Sequence, residues 1–269
     1  MVTIHYDENN RVHRFIRSII ILALSLVAFV LIWWFVTYMA ELNAFPTPDK
    51  VFDALIALIR DGDTINHHTL GEYVKSSFST FLKGFLIALV VSVPLGLLLG
   101  YVKPLREFTA PWIEIVRPIA PIAWAPIFII SFGLNLGPAL VVAVGIFFPM
   151  LTSIIFGVQR IDKTWIEASK TLGAGQLQIF VKIVLPATVP YILNGMKVGL
   201  GVGWMCIVAA ELYAKQLGGI GHYLLIMTDN GLWANAFAAI IVIAFLGIVT
   251  TGVAEYVSKY VSRRMGMEA

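Results

Sequence analysis

Apolar runs long enough to cross a lipid bilayer recur along this chain at about residues 18–40, 77–100, 112–132, 138–158, 189–211 and 234–257. Hydrocarbon offers no partner to a backbone N–H or C=O, so such a chain must satisfy its backbone internally, as helices. The expected fold class is therefore an all-α integral membrane protein with six transmembrane helices. The third run is unlike the others, because Pro111, Pro118, Pro121 and Pro126 interrupt it. Each proline removes a backbone donor and leaves a carbonyl free, so this helix is expected to be kinked and enclosed by protein.

Composition excludes the main soluble classes. Hydrophobic residues make up 59% of the 269 and charged residues 13%, where a soluble domain carries roughly 25% charge. Basic residues lie only in short segments flanking apolar runs, which argues against a nucleic-acid partner. Cys206 is the single cysteine, so neither an internal disulfide nor a thiolate metal cluster is available. Arg11, Arg14 and Arg17 precede the first run in the manner of a secretory signal. That run is longer than the roughly 7–15 residues of a signal core, and no small-x-small site follows, so an uncleaved first helix is expected.

Charge sets the orientation. Arg11, Arg14 and Arg17, then Lys103 and Arg106, then Arg160, Lys163, Lys170 and Lys182, then Lys259, Arg263 and Arg264 fall on alternate sides of successive spans. The intervening connections are acidic or nearly neutral: Glu41, Asp49, Asp53, Asp61, Asp63 and Glu72 against Lys50, Arg60 and Lys75; a few residues around Asn135; and Lys215 against Asp229. Both termini are thus expected in the cytoplasm. The division is a tail at 1–17, a transmembrane domain at 18–258 with an outer loop at 41–76 and an inner loop at 159–188, and a tail at 259–269. In the outer loop Thr47, Pro48 and Asp49 form a helix start. Val51, Phe52, Leu55, Ile56 and Ile59 then share one face, as for a helix lying on the outer membrane surface.

The inner loop 159–188 has the layout of a handle. Trp165 and Ile166, then Leu172, Leu177, Ile179 and Phe180, pattern short amphipathic helices broken at Gly173 and Gly175. Glu167-Ala168-Ser169, Gly173 and Ile183-Val184-Leu185-Pro186 resemble, in type and spacing, the EAA motif of ABC importer permeases, with Ser169 for the second alanine. The alternative is an ordinary charged loop. The resemblance extends over roughly 45–258. Phe45-Pro46-Thr47-Pro48, Arg117 to Pro126 with Phe132-Gly133, and Glu211-Leu212 with Gly218-Gly219-Ile220-Gly221 resemble the nitrate, sulfonate, taurine and bicarbonate branch. It implies a type I permease fold with a cytoplasmic coupling helix, in which Glu167, Ala168, Ser169, Gly173, Ala174, Leu185 and Pro186 engage an ATPase. It implies two ABC ATPase subunits using ATP and Mg, an extracytoplasmic solute-binding protein and a second permease copy in a prokaryotic inner membrane. This chain itself would bind no cofactor or metal and would catalyse no reaction. The solute would be an oxyanion or organic sulfonate such as nitrate, bicarbonate, taurine or an alkanesulfonate, or else another small compound such as a vitamin precursor.

Candidates for the translocation path are Trp124, Gly199, Gly203, Trp204, Met205 and Glu211. Gly195, Gly199 and Gly203 form a bare stripe suited either to tight packing within the subunit or to a pore. Lys197 and Glu211 fall near opposite ends of the fifth span, where long side chains reach water. Glu114 and Arg117 are spaced for an ion pair, whereas adjacent His67 and His68 point apart and do not suit a metal. No G-x-x-x-x-G-K-[ST] occurs, so energy would come from a partner. A secondary transporter would be expected to carry mid-span charges or inverted repeats. An intramembrane enzyme would need a base beside Ser92, Ser131 or Cys206, and no span holds a histidine.

Overall fold

A computed structural model describes residues 11–40, 45–214 and 218–264; Glu41 and Lys215 of the charge pattern lie outside the described residues. The regular elements are α1 (Arg11–Ala40), α2 (Pro48–Arg60), α3 (Leu70–Tyr101), α4 (Lys103–Val116), a 3₁₀ turn (Pro121–Trp124), α5 (Ala125–Gln159), α6 (Lys163–Thr171) and α7 (Gln176–Ile179). A wide π turn (Phe180–Val184) then leads into α8 (Leu185–Tyr213), followed by α9 (Ile220–Asp229) and α10 (Trp233–Arg264). All of the described regular structure is helical.

Among the described residues five segments, rather than the six expected, are long and apolar enough to cross a membrane: Arg17–Met39, Leu70–Tyr101, Pro121–Gln159, Gln176–Tyr213 and Trp233–Arg264. The difference lies in the proline-rich run. The expected helix 112–132 does not form as one piece: α4 stops at Val116, and helix resumes as the 3₁₀ turn at Pro121. Ala120 is extended at φ −58°, ψ 131°, the conformation a following proline favours. Arg117 caps the end of α4 instead of continuing it, and none of the ion pairs among the described residues joins it to Glu114.

The fourth run joins the end of this one through Gly133. Its φ of 75° and ψ of 175° lie where only glycine is comfortable, and the chain doubles back there. Residues eight apart in a continuous helix are separated by about 12 Å, yet a β-carbon on Gly137 would lie 2.7 Å from the Cα of Ile129. Farther along, one on Gly145 would lie 3.5 Å from the Pro121 ring. Residues 121–132 therefore run antiparallel against the rest of α5.

Around this hairpin α5 packs between α3 and α8. Gly84, Gly96 and Gly100 of α3 receive Val142, Ile154 and Val158 of α5, while Gly195, Gly199 and Gly203 of α8 receive Met150 and Ile146. Gly145 of α5 receives the Cys206 side chain in return. The core between these helices includes Phe81, Ala88, Val141, Val142, Ile146, Met150, Trp204 and Ile207. Small residues on one helix thus face branched ones on the next, which lets the backbones approach closely.

At one end of the bundle α2, α9 and the starts of α3 and α10 enclose Leu58, Tyr73, Ile220, Tyr223 and Met227. Helix α2 begins on Thr47 as expected (φ −69°, ψ 152°), but its apolar residues divide between two faces. Val51 and Leu58 are buried and Leu55 packs against the cluster, whereas Phe52, Ile56 and Ile59 point outward. The helix is docked on the protein with one apolar face left exposed. Helix α3 starts at Leu70, earlier than its apolar run, because Thr69 and Glu72 form a reciprocal capping box. Before it, Asp63 is buried and accepts bonds from Tyr73 Oη (2.7 Å), Ile65 N (2.9 Å) and Asn66 N (3.1 Å). Burial favours the neutral acid, but these donors outweigh it and hold the carboxyl below the usual range.

Packing against α5 predicts a sharp contrast within α8. Gly199→Val must push against Ile146 and should destabilise the detergent-solubilised chain by roughly 1–3 kcal/mol. Gly201 opens on empty space, so Gly201→Ala should leave the melting midpoint unchanged. Equal melting of the two variants would contradict the packing.

Candidate functional site

Two sites stand at opposite ends of the bundle. The first is the segment between α5 and α8. Asp162 caps α6, its Oδ1 accepting Thr164 N at 2.8 Å, and this backbone bond holds the carboxyl below its ordinary range. Helix α6 ends in a Schellman arrangement: Gly173 N bonds Lys170 O at 2.9 Å and Ala174 N bonds Ser169 O at 2.9 Å. Gly173 sits at φ +81°, a left-handed position that disfavours side chains. The chain then turns through Gly175 into α7. Pro186 has no N–H, and ahead of it the π turn bonds Leu185 N to Phe180 O, five residues back rather than four.

The two sides of this segment differ in kind. Ile179 and Val184 are buried with Leu97, Ile154 and Val158, so the rear is fastened to α3 and α5. The other side carries Trp165, Leu172 and Leu177 in the open, with Leu172 89% exposed. Glu167, Ala168 and Gly173 are exposed; Ser169, Ala174, Leu185 and Pro186 are half-buried. Large apolar side chains are thus held outward on a fixed base.

The second site surrounds Glu211. Instead of reaching water from the end of α8, its side chain is buried, at 1% exposure. Glu211 Oε2 accepts Ser77 Oγ at 2.9 Å and Gly221 N at 2.8 Å, while Ser77 Oγ accepts Ile220 N at 2.9 Å. The carboxyl therefore caps the start of α9 from a distance, where the helix dipole favours it. Gly219 packs directly on this carboxyl, and a β-carbon there would overlap it. This contact explains why glycines follow Glu211-Leu212. Nothing local in the sequence signals Ser77, 134 positions away.

The remaining path candidates separate. Gly199 and Gly203 face Ile146 inside the subunit. Trp204 is buried, stacks on Phe81 at 4.7 Å and donates to Thr250 Oγ1 at 2.8 Å. Met205, on the far side of α8, is 73% exposed. Trp124 stacks on Phe128 at 5.8 Å in the 3₁₀ turn, its indole N–H buried and unpartnered among the described residues. Lys197 pairs with Glu255 at 2.8 Å, and Lys259 holds the other oxygen of that carboxylate at 2.9 Å. No group of three His, Cys, Asp or Glu converges among the described residues.

Residues 92–266 match the family described as binding-protein-dependent transport system inner membrane component. The chain belongs to that family. The match takes in α4 to α10 and both sites except Ser77. A putative ABC transporter permease of Methanocaldococcus jannaschii is 32% identical over 255 residues, covering 91% of this chain and 93% of the relative. The taurine transport system permease protein of Escherichia coli (strain K12) is 30% identical over 197 residues, 72% of this chain and 71% of its own. The nitrate import permease protein of Synechocystis sp. is 28% identical over 227 residues, with 83% and 82% covered. The chain is the membrane-embedded permease subunit of an ABC importer, in the branch that contains these relatives, and the secondary-transporter and intramembrane-enzyme readings fall away.

The buried carboxyl gives a local prediction. Removing it in Glu211→Ala leaves Gly221 N–H without its acceptor, a cost of about 1–3 kcal/mol. The amides of Ile220 and Gly221 should then exchange with deuterium roughly 5–150 times faster. Unchanged exchange would show that Glu211 does not hold this turn.

Proposed function

We propose that two copies of this permease cross a prokaryotic inner membrane and that the segment 159–188 receives an ABC ATPase on the cytoplasmic side. The observation that carries this reading is the exposed set Trp165, Leu172 and Leu177 on a base fastened to α3 and α5. A docking helix that is to transmit a push needs both properties: apolar anchors outward and a rigid attachment behind. In this reading Glu167, Ala168 and Ser169 line the contact, Gly173 and Ala174 end the helix, and Leu185 and Pro186 lead the motion into α8.

The doubling back at Gly133 supports six crossings rather than five. The proline-rich segment through Phe132 forms one crossing and the remainder of α5 the next, with α1, α3, α8 and α10 as the others. Basic residues at both ends of the described chain and in 159–188 favour the cytoplasm for both termini. ATP and Mg are used by the partner ATPases, and an extracytoplasmic binding protein delivers the solute to the Glu211 end. The relatives named for taurine and nitrate transport support a small oxyanion or sulfonate as cargo. Trp124 and Met205 are the side chains that remain available to a path between two copies.

Each docked aromatic or aliphatic anchor contributes about 2 kcal/mol at such a contact, so Leu172→Ala should weaken ATPase docking roughly 30-fold. Gly173→Val should leave membrane insertion intact while ATP hydrolysis ceases to drive uptake. Proteoliposomes with the binding protein present would report both rates. Full coupled transport by both variants would overturn the assignment.

A further inference from the structure

A two-part cleft lies beside α1, away from both sites. Its polar part, of about 530 Å³, is lined by Thr37, Thr47, Lys50, Trp233, Asn235 and neighbouring backbone. Its apolar part, of about 450 Å³, runs between α1 and α10 along Phe29, Ile32, Trp33, Val36, Phe237 and Ile240 to Ala244. Phe45 belongs to both linings, so the two parts adjoin. Each falls within the roughly 300–1,000 Å³ typical of small-molecule sites. Phe45 packs edge-on against Phe237 at 5.0 Å, and Trp33 Nε1 donates to Pro46 O at 3.1 Å, which fixes the junction.

Among the described lining residues Lys50 is the one charged side chain, and neighbouring Asp49 is turned to the Thr47 hydroxyl. Lys50 makes no ion pair among the described residues, and none of the described residues that line the cavity is a carboxylate. The first turn of α10, which shares the wall, also holds no acidic residue. The depth of the groove is equally specific. Nine residues separate Asn235 from Ala244, a rise of about 14 Å, close to half of a hydrocarbon core of about 30 Å. A cationic polar cavity one leaflet above the end of an apolar groove matches a single class of molecule.

We infer that this cleft holds a membrane phospholipid of the outer leaflet, its phosphodiester at Lys50 and one acyl chain along α1 and α10. The ordered lipid fills the space between α1 and the bundle, beside the contacts of Trp33 with Phe237 and with Pro46 O. This site is independent of the solute and of the ATPase contact.

The test uses the intact transporter complex in detergent, stripped of lipid and titrated with phosphatidylglycerol by native mass spectrometry. Lys50→Gln should weaken binding roughly fivefold, the effect of one basic residue beside an anionic lipid. Ile240→Trp, which fills the groove, should weaken it independently. Dioleoylglycerol without a phosphate, and glycerol 3-phosphate without chains, should each bind far less tightly than phosphatidylglycerol. Unchanged binding in both variants would overturn the inference. So would glycerol 3-phosphate binding as tightly as the whole lipid, which would mark a free-anion site, or a photo-crosslinker at position 240 reacting with a second permease copy instead of lipid.

Discussion

Helices surrounded by lipid gain little from hiding apolar side chains from one another, so close packing must hold them together. In this permease the constraint is met by α5, whose Val142, Ile146, Met150, Ile154 and Val158 enter glycine-lined hollows on α3 and α8. Everything else is placed relative to that three-helix core. One end of it continues into the base beneath α6 and α7, through Ile154 and Val158 against Ile179 and Val184. Toward the opposite end α3 supplies Ser77 and α8 supplies Glu211, which together secure the start of α9. A displacement of the segment between α5 and α8 therefore has a packed route into α8.

Irregular backbone at membrane depth needs protein around it, yet the expected enclosure of the proline-rich run is met on one side only: the rest of α5 covers it, while Ile127, Ile130 and Phe132 stay exposed. The break after α4, the 3₁₀ turn at Pro121–Trp124 and the reversal at Gly133 all fall in one stretch packed against the rest of α5. The unpartnered indole N–H of Trp124 lies there too. The π turn ahead of Pro186 is a second such adjustment, at the junction that joins α7 to α8.

Much of this was legible in the residues. Five of the apolar runs lie inside helices, and the helix start at Thr47 and the break in the proline-rich run follow from local rules. Family membership was readable from Glu167 to Pro186 and from the glycines after Glu211. Other features were hidden because they depend on contacts between distant segments. Glu211 reads as a helix-end carboxylate until Ser77 and Gly221 close around it, and the apolar residues of α2 divide only once α10 provides a partner. Gly195, Gly199 and Gly203 could serve a pore or a packing seam equally well by spacing; the opposing Ile146 and Met150 decide where they face. Extending α3 back to Leu70 needed only the capping pair Thr69 and Glu72, a local signal that apolar periodicity does not contain.

The central claim is that the surface around Leu172 faces the cytoplasm and touches an ATPase. Cysteine cross-linking in intact membrane vesicles of known orientation measures this directly, with Leu172→Cys in a Cys206→Ser background and a short bifunctional reagent. The account predicts a cross-link to the ATPase subunit that is lost when the ATPase is stripped away, and no labelling by an impermeant thiol reagent applied from the extracytoplasmic face. Labelling from that outer face would contradict it.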